Sequence, residues 1–153
     1  VLHLDNNKLQ SIGVNHLTAL TYLNLGGNRI QSIDLNRSTA LVDLRLYGNQ
    51  FQSIDVNHLT ALTYLSLGGN RIQSIYLNRS TALVVLSLHN NQLQSIDVNH
   101  LTALTFLGLE NNTLQSIDLT GLVALAYLDL RWNQLKSIKN ITGLNRAITN
   151  LDI

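Results

Sequence analysis

Leucine and isoleucine recur along the chain with a fixed 21-residue period. In the coil that starts at Leu20, Leu23 and Leu25 alternate with polar or small residues, which predicts a short strand with one buried face. Ile30 and Ile33 follow at positions that also favour burial. Because a coil of this length is too short for a strand, two turns and a full α-helix, we expect the return to be extended or a single 3₁₀ turn.

The same apolar columns continue through seven coils, at Leu4, Leu25, Leu46, Leu67, Leu88, Leu109 and Leu130, and at Ile12, Ile33, Ile54, Ile75, Ile96, Ile117 and Ile138. One coil cannot bury its own apolar face, so successive coils must stack with their strands in parallel. Roughly fifty inward residues, each contributing about 1.5–3 kcal/mol on burial, would stabilise the stack. The pattern predicts a right-handed α/β solenoid with a concave parallel sheet of seven or eight short strands and very little α-helix.

An asparagine column accompanies the leucines. If Leu20 is position 1 of its coil, the asparagine stands at position 9, at Asn7, Asn28, Asn49, Asn70, Asn91, Asn112 and Asn133. The chain turns at this position, where a buried amide can bond backbone groups of its own and the next coil. We therefore interpret the column as a structural asparagine ladder.

The coil LTYLNLGGNRI, from Leu20 to Ile30, fits the pattern LxxLxLxxNxL. This pattern resembles the signature of leucine-rich repeats and covers nearly the whole chain. The 21-residue length and the SIDL or SIDV stretch that follows resemble the short bacterial class. The chain lacks the prolines of the secreted-effector class and the cysteine caps of many extracellular members, so the resemblance does not extend to ligase or immune-receptor function.

We expect a single leucine-rich repeat domain over residues 1–153, with about seven coils and no caps. The last coil, 139–153, is atypical because two residues are inserted after Ile138. Ile141, Leu144, Ile148 and Leu151 can still face inward if the return bulges. We interpret this as a transition toward a cap or toward another repeat class.

Two neighbouring segments are near copies of each other. Residues 14–55 and 56–97 agree at 35 of 42 places, so the repeated unit is a pair of coils. Positions 3, 5, 7 and 8, on the concave side, hold five of the seven differences. The differences are Asn24/Ser66, Asp34/Tyr76, Asp43/Val85, Arg45/Ser87, Tyr47/His89, Gly48/Asn90 and Phe51/Leu93. The scaffold residues are the same in both segments, whereas the concave face differs. This pattern indicates that the concave face binds a partner.

Most aromatic residues stand on the same side, together with charges of both signs. The predicted partner-binding residues are Tyr22, Asp43, Arg45, Tyr47, Tyr64, His89, Phe106, Glu110, Tyr127, Arg131 and Trp132. Aromatic residues and arginines anchor interfaces. Mixed charge suits a protein or peptide better than a nucleic acid. Carbohydrate binding on the aromatic rings remains an alternative.

Other columns are interpreted as structural. His16, His58 and His100 lie two coils apart, roughly 10 Å, which is too far for a shared metal, so we expect a solvated convex column. Asp34 and Asp55 stack on neighbouring coils, and capping of backbone amides is preferred there over a calcium site. Four Asn-x-Ser/Thr matches, at Asn36, Asn78, Asn111 and Asn140, carry little weight in so Asn- and Ser-rich a chain.

The net charge of +1 and the absence of cysteine give no pull toward nucleic acid and no disulfide framework. No apolar run is long enough for membrane insertion. We find no catalytic constellation and predict no enzyme activity, metal or cofactor. The alternative to a binding module is a structural scaffold that associates end to end through uncapped termini. The compartment stays open.

Overall fold

The structure, a computed structural model, describes residues 1–144 and 150–152. Its strands are β1 Leu2–His3, β2 Tyr22–Asn24, β3 Asp43–Arg45, β4 Tyr64–Ser66, β5 Val85–Ser87, β6 Phe106–Gly108, β7 Ser116–Asp118, β8 Tyr127–Asp129, β9 Ser137–Lys139 and β10 Asn150–Asp152. Eight of them form one parallel sheet in the order β1-β2-β3-β4-β5-β6-β8-β10. Within the described residues the only helix is one 3₁₀ turn, Ile141–Gly143. The predicted solenoid is confirmed.

The strand register repeats the sequence period. Leu23 pairs with Leu44, and Leu44 pairs with Leu65, so equivalent residues lie side by side along the sheet. These leucines are fully buried, because the coils on either side cover them. A single continuous apolar core therefore runs along the solenoid.

The last coil follows a longer spacing. On β8, Leu128 pairs with Leu151, so this step is two residues longer than the step from Leu23 to Leu44. The 3₁₀ turn occupies this longer return, and Leu144 is half-buried against the core. Ile148 and the side chain of Leu151 lie outside the described residues, so their expected inward orientation stays a prediction.

A second, two-stranded sheet lies on the return side, where β7 pairs with β9. Asp118 and Lys139 are register partners there, and the Lys139 Nζ to Asp118 Oδ2 distance is 2.7 Å. The Lys139 ammonium and the Thr120 groups lower the pKa of Asp118 to about 2. Equivalent neighbours at Asp34 and Asp55 are both acidic, so this opposite-charge pair is special to the last coils.

The asparagine ladder joins each coil to the one before it. Asn70 Nδ2 donates to Leu67 O of its own coil at 2.9 Å and to Leu46 O of the preceding coil at 3.0 Å, while Oδ1 accepts from Phe51 N at 3.0 Å. The same bonds recur at Asn28, Asn49, Asn91, Asn112 and Asn133. Asn7 donates to Leu4 O and Asp5 O of its own coil. Sequence reasoning placed the second partner on the next coil, which is wrong, because position 9 follows the strand and faces the carbonyl row of the earlier coil.

Two of the three convex histidines are also bonded. His58 Nε2 lies 2.9 Å from Leu35 O, and His100 Nε2 lies 3.0 Å from Leu77 O. Both rings are half-buried, so the expectation of a solvated column is wrong for them; His16 alone of the three is exposed.

The convex aspartates cap local backbone amides. Asp34, Asp55 and Asp118 each accept a hydrogen bond from the amide two residues later, at 2.9–3.0 Å. In the described part of the chain no group of three or more His, Asp or Glu side chains is placed to hold a metal ion. None of the described helices could cross a membrane.

Candidate binding site on the concave face

The concave face consists of the side chains at positions 3, 5, 7 and 8 of each coil. The register sets the position-3 residues in one line across the sheet, in the order Tyr22, Asp43, Tyr64, Val85, Phe106 and Tyr127. Each of these side chains is half-buried. The line predicted from the sequence is therefore present, but its members are packed against one another.

Most position-5 side chains are buried, although they lie on the concave side of the sheet. Asn24, Ser66, Ser87 and Asp129 are all at most 9% exposed. Three of them bond the residue two places later: Asn24 Oδ1 accepts from Gly26 N, Ser87 Oγ contacts His89 Nδ1, and Asp129 Oδ1 accepts from Arg131 N. These hydrogen bonds keep the polar groups close to the backbone of the sheet, between the larger side chains at positions 3 and 7.

An arginine between two tyrosines forms the first cluster of the face. The Arg45 guanidinium lies 5.4 Å from the Tyr22 ring centroid and 4.5 Å from that of Tyr64. Asp43 holds it by two hydrogen bonds of 2.9 Å, and this pairing raises the pKa of Arg45. A bidentate ion pair with stacked rings restricts all four side chains before any partner arrives.

Two glycines make room for this layer and escaped the sequence reasoning. A β-carbon on Gly26 would collide with the Tyr47 ring, and one on Gly68 would collide with the His89 ring. Both rings therefore lean over the preceding coil. The sequence contained a signal for this packing, because position 7 alternates between a glycine and a residue with a ring: Gly26, Tyr47, Gly68 and His89.

A second cluster lies three coils further along. The Phe106 and Tyr127 rings are stacked, with centroids 4.3 Å apart and planes 3° from parallel. Gly108, between them and Glu110, leaves space that a β-carbon would restrict, since Phe106 would lie 3.2 Å from it. Burial raises the pKa of Tyr127, and the negative charges of Asp129 and Glu110 add to this effect.

Asp129 is the buried charge of the second cluster, with a side chain only 2% exposed. It accepts hydrogen bonds from Arg131 Nε at 3.0 Å and Nη2 at 2.6 Å. These bonds to the guanidinium lower the pKa of Asp129 against the opposing effect of burial. A buried carboxylate requires such a partner, so Arg131 is fixed beside the face.

Trp132 combines exposure with an unfavourable backbone conformation. Its φ is +55° and its exposed fraction is 71%. Position 8 is left-handed in all seven coils, and the other six carry Asn6, Gly27, Gly48, Gly69, Asn90 and Asn111. Glycine and asparagine tolerate this conformation, whereas a bulky residue is strained in it. The Arg131 guanidinium lies 5.4 Å from the indole centroid.

Ser87, His89 and Glu110 form the one serine–histidine–acid grouping on the described part of this face. Ser87 Oγ lies 2.8 Å from His89 Nδ1, and Glu110 Oε1 lies 3.9 Å from the same nitrogen. A nucleophile–base–acid relay needs the serine and the acid on opposite ring nitrogens. The grouping does not meet that requirement and serves to orient the His89 ring.

No family model matches the chain, and no curated protein matches it. Solved structures do. A leucine-rich repeat protein of Leptospira interrogans has 26% identity and a TM-score of 0.79, covering 99% of this chain and 48% of that one. An internalin from Listeria monocytogenes has 27% identity and a TM-score of 0.75, covering 86% and 45%. A TLR13–ssRNA13 complex has 26% identity and a TM-score of 0.68, covering 89% and 24%.

The parallel sheet of stacked coils and these neighbours define a leucine-rich repeat solenoid. The repeat motif, the 21-residue spacing and the likeness to such structures show that the chain has the leucine-rich repeat fold, and its coil length matches the short bacterial class that the sequence resembles. It spans less than half the length of each of these three solved chains.

Proposed function

We propose that the chain is a binding module that holds a protein or peptide on its concave face. The observation that carries the proposal is Trp132, a strained and 71% exposed residue where every other coil has glycine or asparagine. Strain of this kind persists where function requires the side chain. An exposed tryptophan beside an arginine is a frequent interface anchor.

The two clusters support the same function. Arg45 is fixed between two tyrosines, and Phe106 is fixed against Tyr127, so these side chains have little rotamer freedom left to lose. A preorganised face binds more tightly because the ordering cost has already been met in folding. Trp132 adds the exposed ring that neither cluster provides.

The charges favour a protein or peptide over RNA. Of the side chains that the structure describes on this face, four are acidic, Asp5, Asp43, Glu110 and Asp129, and two are arginines, Arg45 and Arg131. Both arginines are already paired with an aspartate. A face with an excess of acids would repel phosphates, whereas it would attract a partner with basic groups.

The test is selection of peptides from a random displayed library with the wild-type protein, followed by affinity measurement on purified variants. Trp132 is the only tryptophan, so its fluorescence gives a direct signal of binding at this position. Trp132→Asn and Phe106→Ala should each weaken binding by about 2 kcal/mol or more, roughly thirtyfold.

Tyr76→Ala is the matched control. Tyr76 is 72% exposed, like Trp132, but lies on the return side at position 15. It is a better control than His58, because the His58 ring bonds Leu35 O and its loss would disturb the fold. Equal loss on Tyr76→Ala, or unchanged binding to Trp132→Asn, would place the binding site elsewhere.

A further inference from the structure

A polar groove runs along the flank that follows the asparagine ladder. Two cavities of about 460 and 380 Å³ adjoin there, since both are lined by Gln31, Ser32 and Gln50. The first is completed by Gln10, Ser11 and Arg29, and the second by Gln52, Ser53 and Arg71. The groove thus extends over successive coils and lies outside the concave face.

The flank has a uniform chemistry along the whole chain. Position 12 is glutamine in six coils and Lys136 in the last, and position 13 is serine in all seven. Position 10 carries Lys8, Arg29 and Arg71 in three coils and an uncharged polar residue in the others. No acidic residue occurs at these three positions. Every side chain there can donate a hydrogen bond, and the only charges are positive.

The two arginines of the groove differ from Arg45 and Arg131 of the concave face, which are each paired with an aspartate. Among the ion pairs and side-chain hydrogen bonds of the described residues, none involves the guanidinium of Arg29 or Arg71, and both side chains are exposed. Gln31 Nε2 donates to Gln50 Oε1 at 3.3 Å, which links the amides of neighbouring coils. Arg29 and Arg71 thus flank one linked pair of glutamine amides, and their guanidinium groups are open to a ligand.

The near-identical segments keep this flank while they change the concave face. Arg29, Gln31 and Ser32 recur as Arg71, Gln73 and Ser74, and Gln50, Gln52 and Ser53 recur as Gln92, Gln94 and Ser95. Not one of the seven differences falls here, although most of these side chains are exposed. The groove therefore presents the same hydrogen-bond donors and the same arginine in both copies.

We propose that this flank binds a linear acidic polysaccharide of the polyuronate class. Arg29 and Arg71 are two coils apart, roughly 10 Å, and would each hold one carboxylate in a bidentate pair. The glutamine amides and serine hydroxyls between them offer donors and acceptors to the sugar hydroxyls. A nucleic acid fits less well, because the groove has no aromatic side chain for base stacking and few positive charges.

The experiment measures calorimetric binding of oligogalacturonate of defined length to the full chain. The double variant Arg29→Gln with Arg71→Gln should weaken binding by about tenfold for each arginine lost. Arg37→Gln with Arg79→Gln is the matched control, because these arginines have the same 42-residue spacing and are exposed on the convex side. It should leave the affinity within about twofold.

Two further ligands and one further variant decide the outcome. A neutral glucan oligomer of the same length should not bind, and a single-stranded oligonucleotide should bind more weakly than the uronate. Gln50→Glu, at the shared wall of both cavities, should also weaken uronate binding by repulsion. Absence of uronate binding, equal losses in both double variants, or preference for the oligonucleotide would overturn the proposal. Trp132→Asn should bind uronate normally, so this test is independent of the concave face.

Discussion

Replacement of Trp132 by asparagine should stabilise the fold while it weakens partner binding. The substitution gives this coil the residue that Asn90 and Asn111 carry at the same left-handed position. Ordinary mutations at a binding site lower affinity and leave stability unchanged or reduced. A gain in stability with a loss of affinity would therefore identify strain that is retained for function.

The expected gain is small but measurable. A left-handed conformation costs a bulky residue about 1–2 kcal/mol, most of which asparagine avoids. The substitution also removes the contact between Arg131 and the indole, which contributes about 0.5–1 kcal/mol at an exposed site. Because Trp132 is 71% exposed, little other packing is lost. The net effect is a free energy of unfolding higher by about 0.5–1 kcal/mol.

Urea unfolding followed by far-ultraviolet circular dichroism measures this effect. Tryptophan fluorescence does not serve, because the variant contains no tryptophan. Asn111→Trp is the reciprocal control: it introduces the same strain one coil earlier and should lower the free energy of unfolding by about 1 kcal/mol. A loss of about 1 kcal/mol or more in Trp132→Asn would show that the indole supports the fold, and the strain argument would then fail.

Three further substitutions test the scaffold by urea unfolding. Asn70→Ala should cost about 2 kcal/mol or more, because it leaves buried backbone groups unpaired; a cost below about 1 kcal/mol would contradict the ladder's role. Ser80→Ala should be neutral or slightly stabilising, because the buried hydroxyl has no hydrogen-bond partner in the described structure; a clear loss would contradict this. Gly121→Ala should cost about 2 kcal/mol or more, because φ is +87° and the new β-carbon would meet Asn99 O; Gly13→Ala, which has open space, should be tolerated.

The sequence predicted the parts of the fold that depend on period. Leucine alternation in each coil and the 21-residue step determine the strands, their parallel pairing and the buried core. The same reasoning located the line from Tyr22 to Tyr127 across the sheet, because residues at equivalent positions must become neighbours. Such predictions succeed because stacking leaves only one arrangement for the apolar face.

The parts that the sequence did not predict depend on contacts between unlike positions. The burial of Asp129 follows from its bonds to Arg131, and the tilt of the Tyr47 ring follows from the missing side chain of Gly26. The strain at Trp132 could be recognised only from its φ angle in the structure. The sequence did contain a signal, because position 8 is glycine or asparagine in the other coils. Comparison of equivalent positions in successive coils identifies which residues share a face of the solenoid. It does not identify which side chain packs over another.

The convex side alternates between two coil types, with histidine at His16, His58 and His100 and arginine at Arg37 and Arg79, so the near-identical segment of two coils contains one coil of each type. A hydrogen bond connects each histidine coil to the arginine coil that follows it. Asn57 Oδ1 accepts from Arg79 N at 3.0 Å, and Asn15 Oδ1 accepts from Arg37 N in the same way. From an arginine coil to the next histidine coil, the joint is instead the ring of His58 on Leu35 O, and that of His100 on Leu77 O. A two-coil copy contains one joint of each kind, so both kinds of convex hydrogen bond recur in the copy. The concave side chains take no part in these joints, so they can differ between the copies without loss of the bonds that connect the coils.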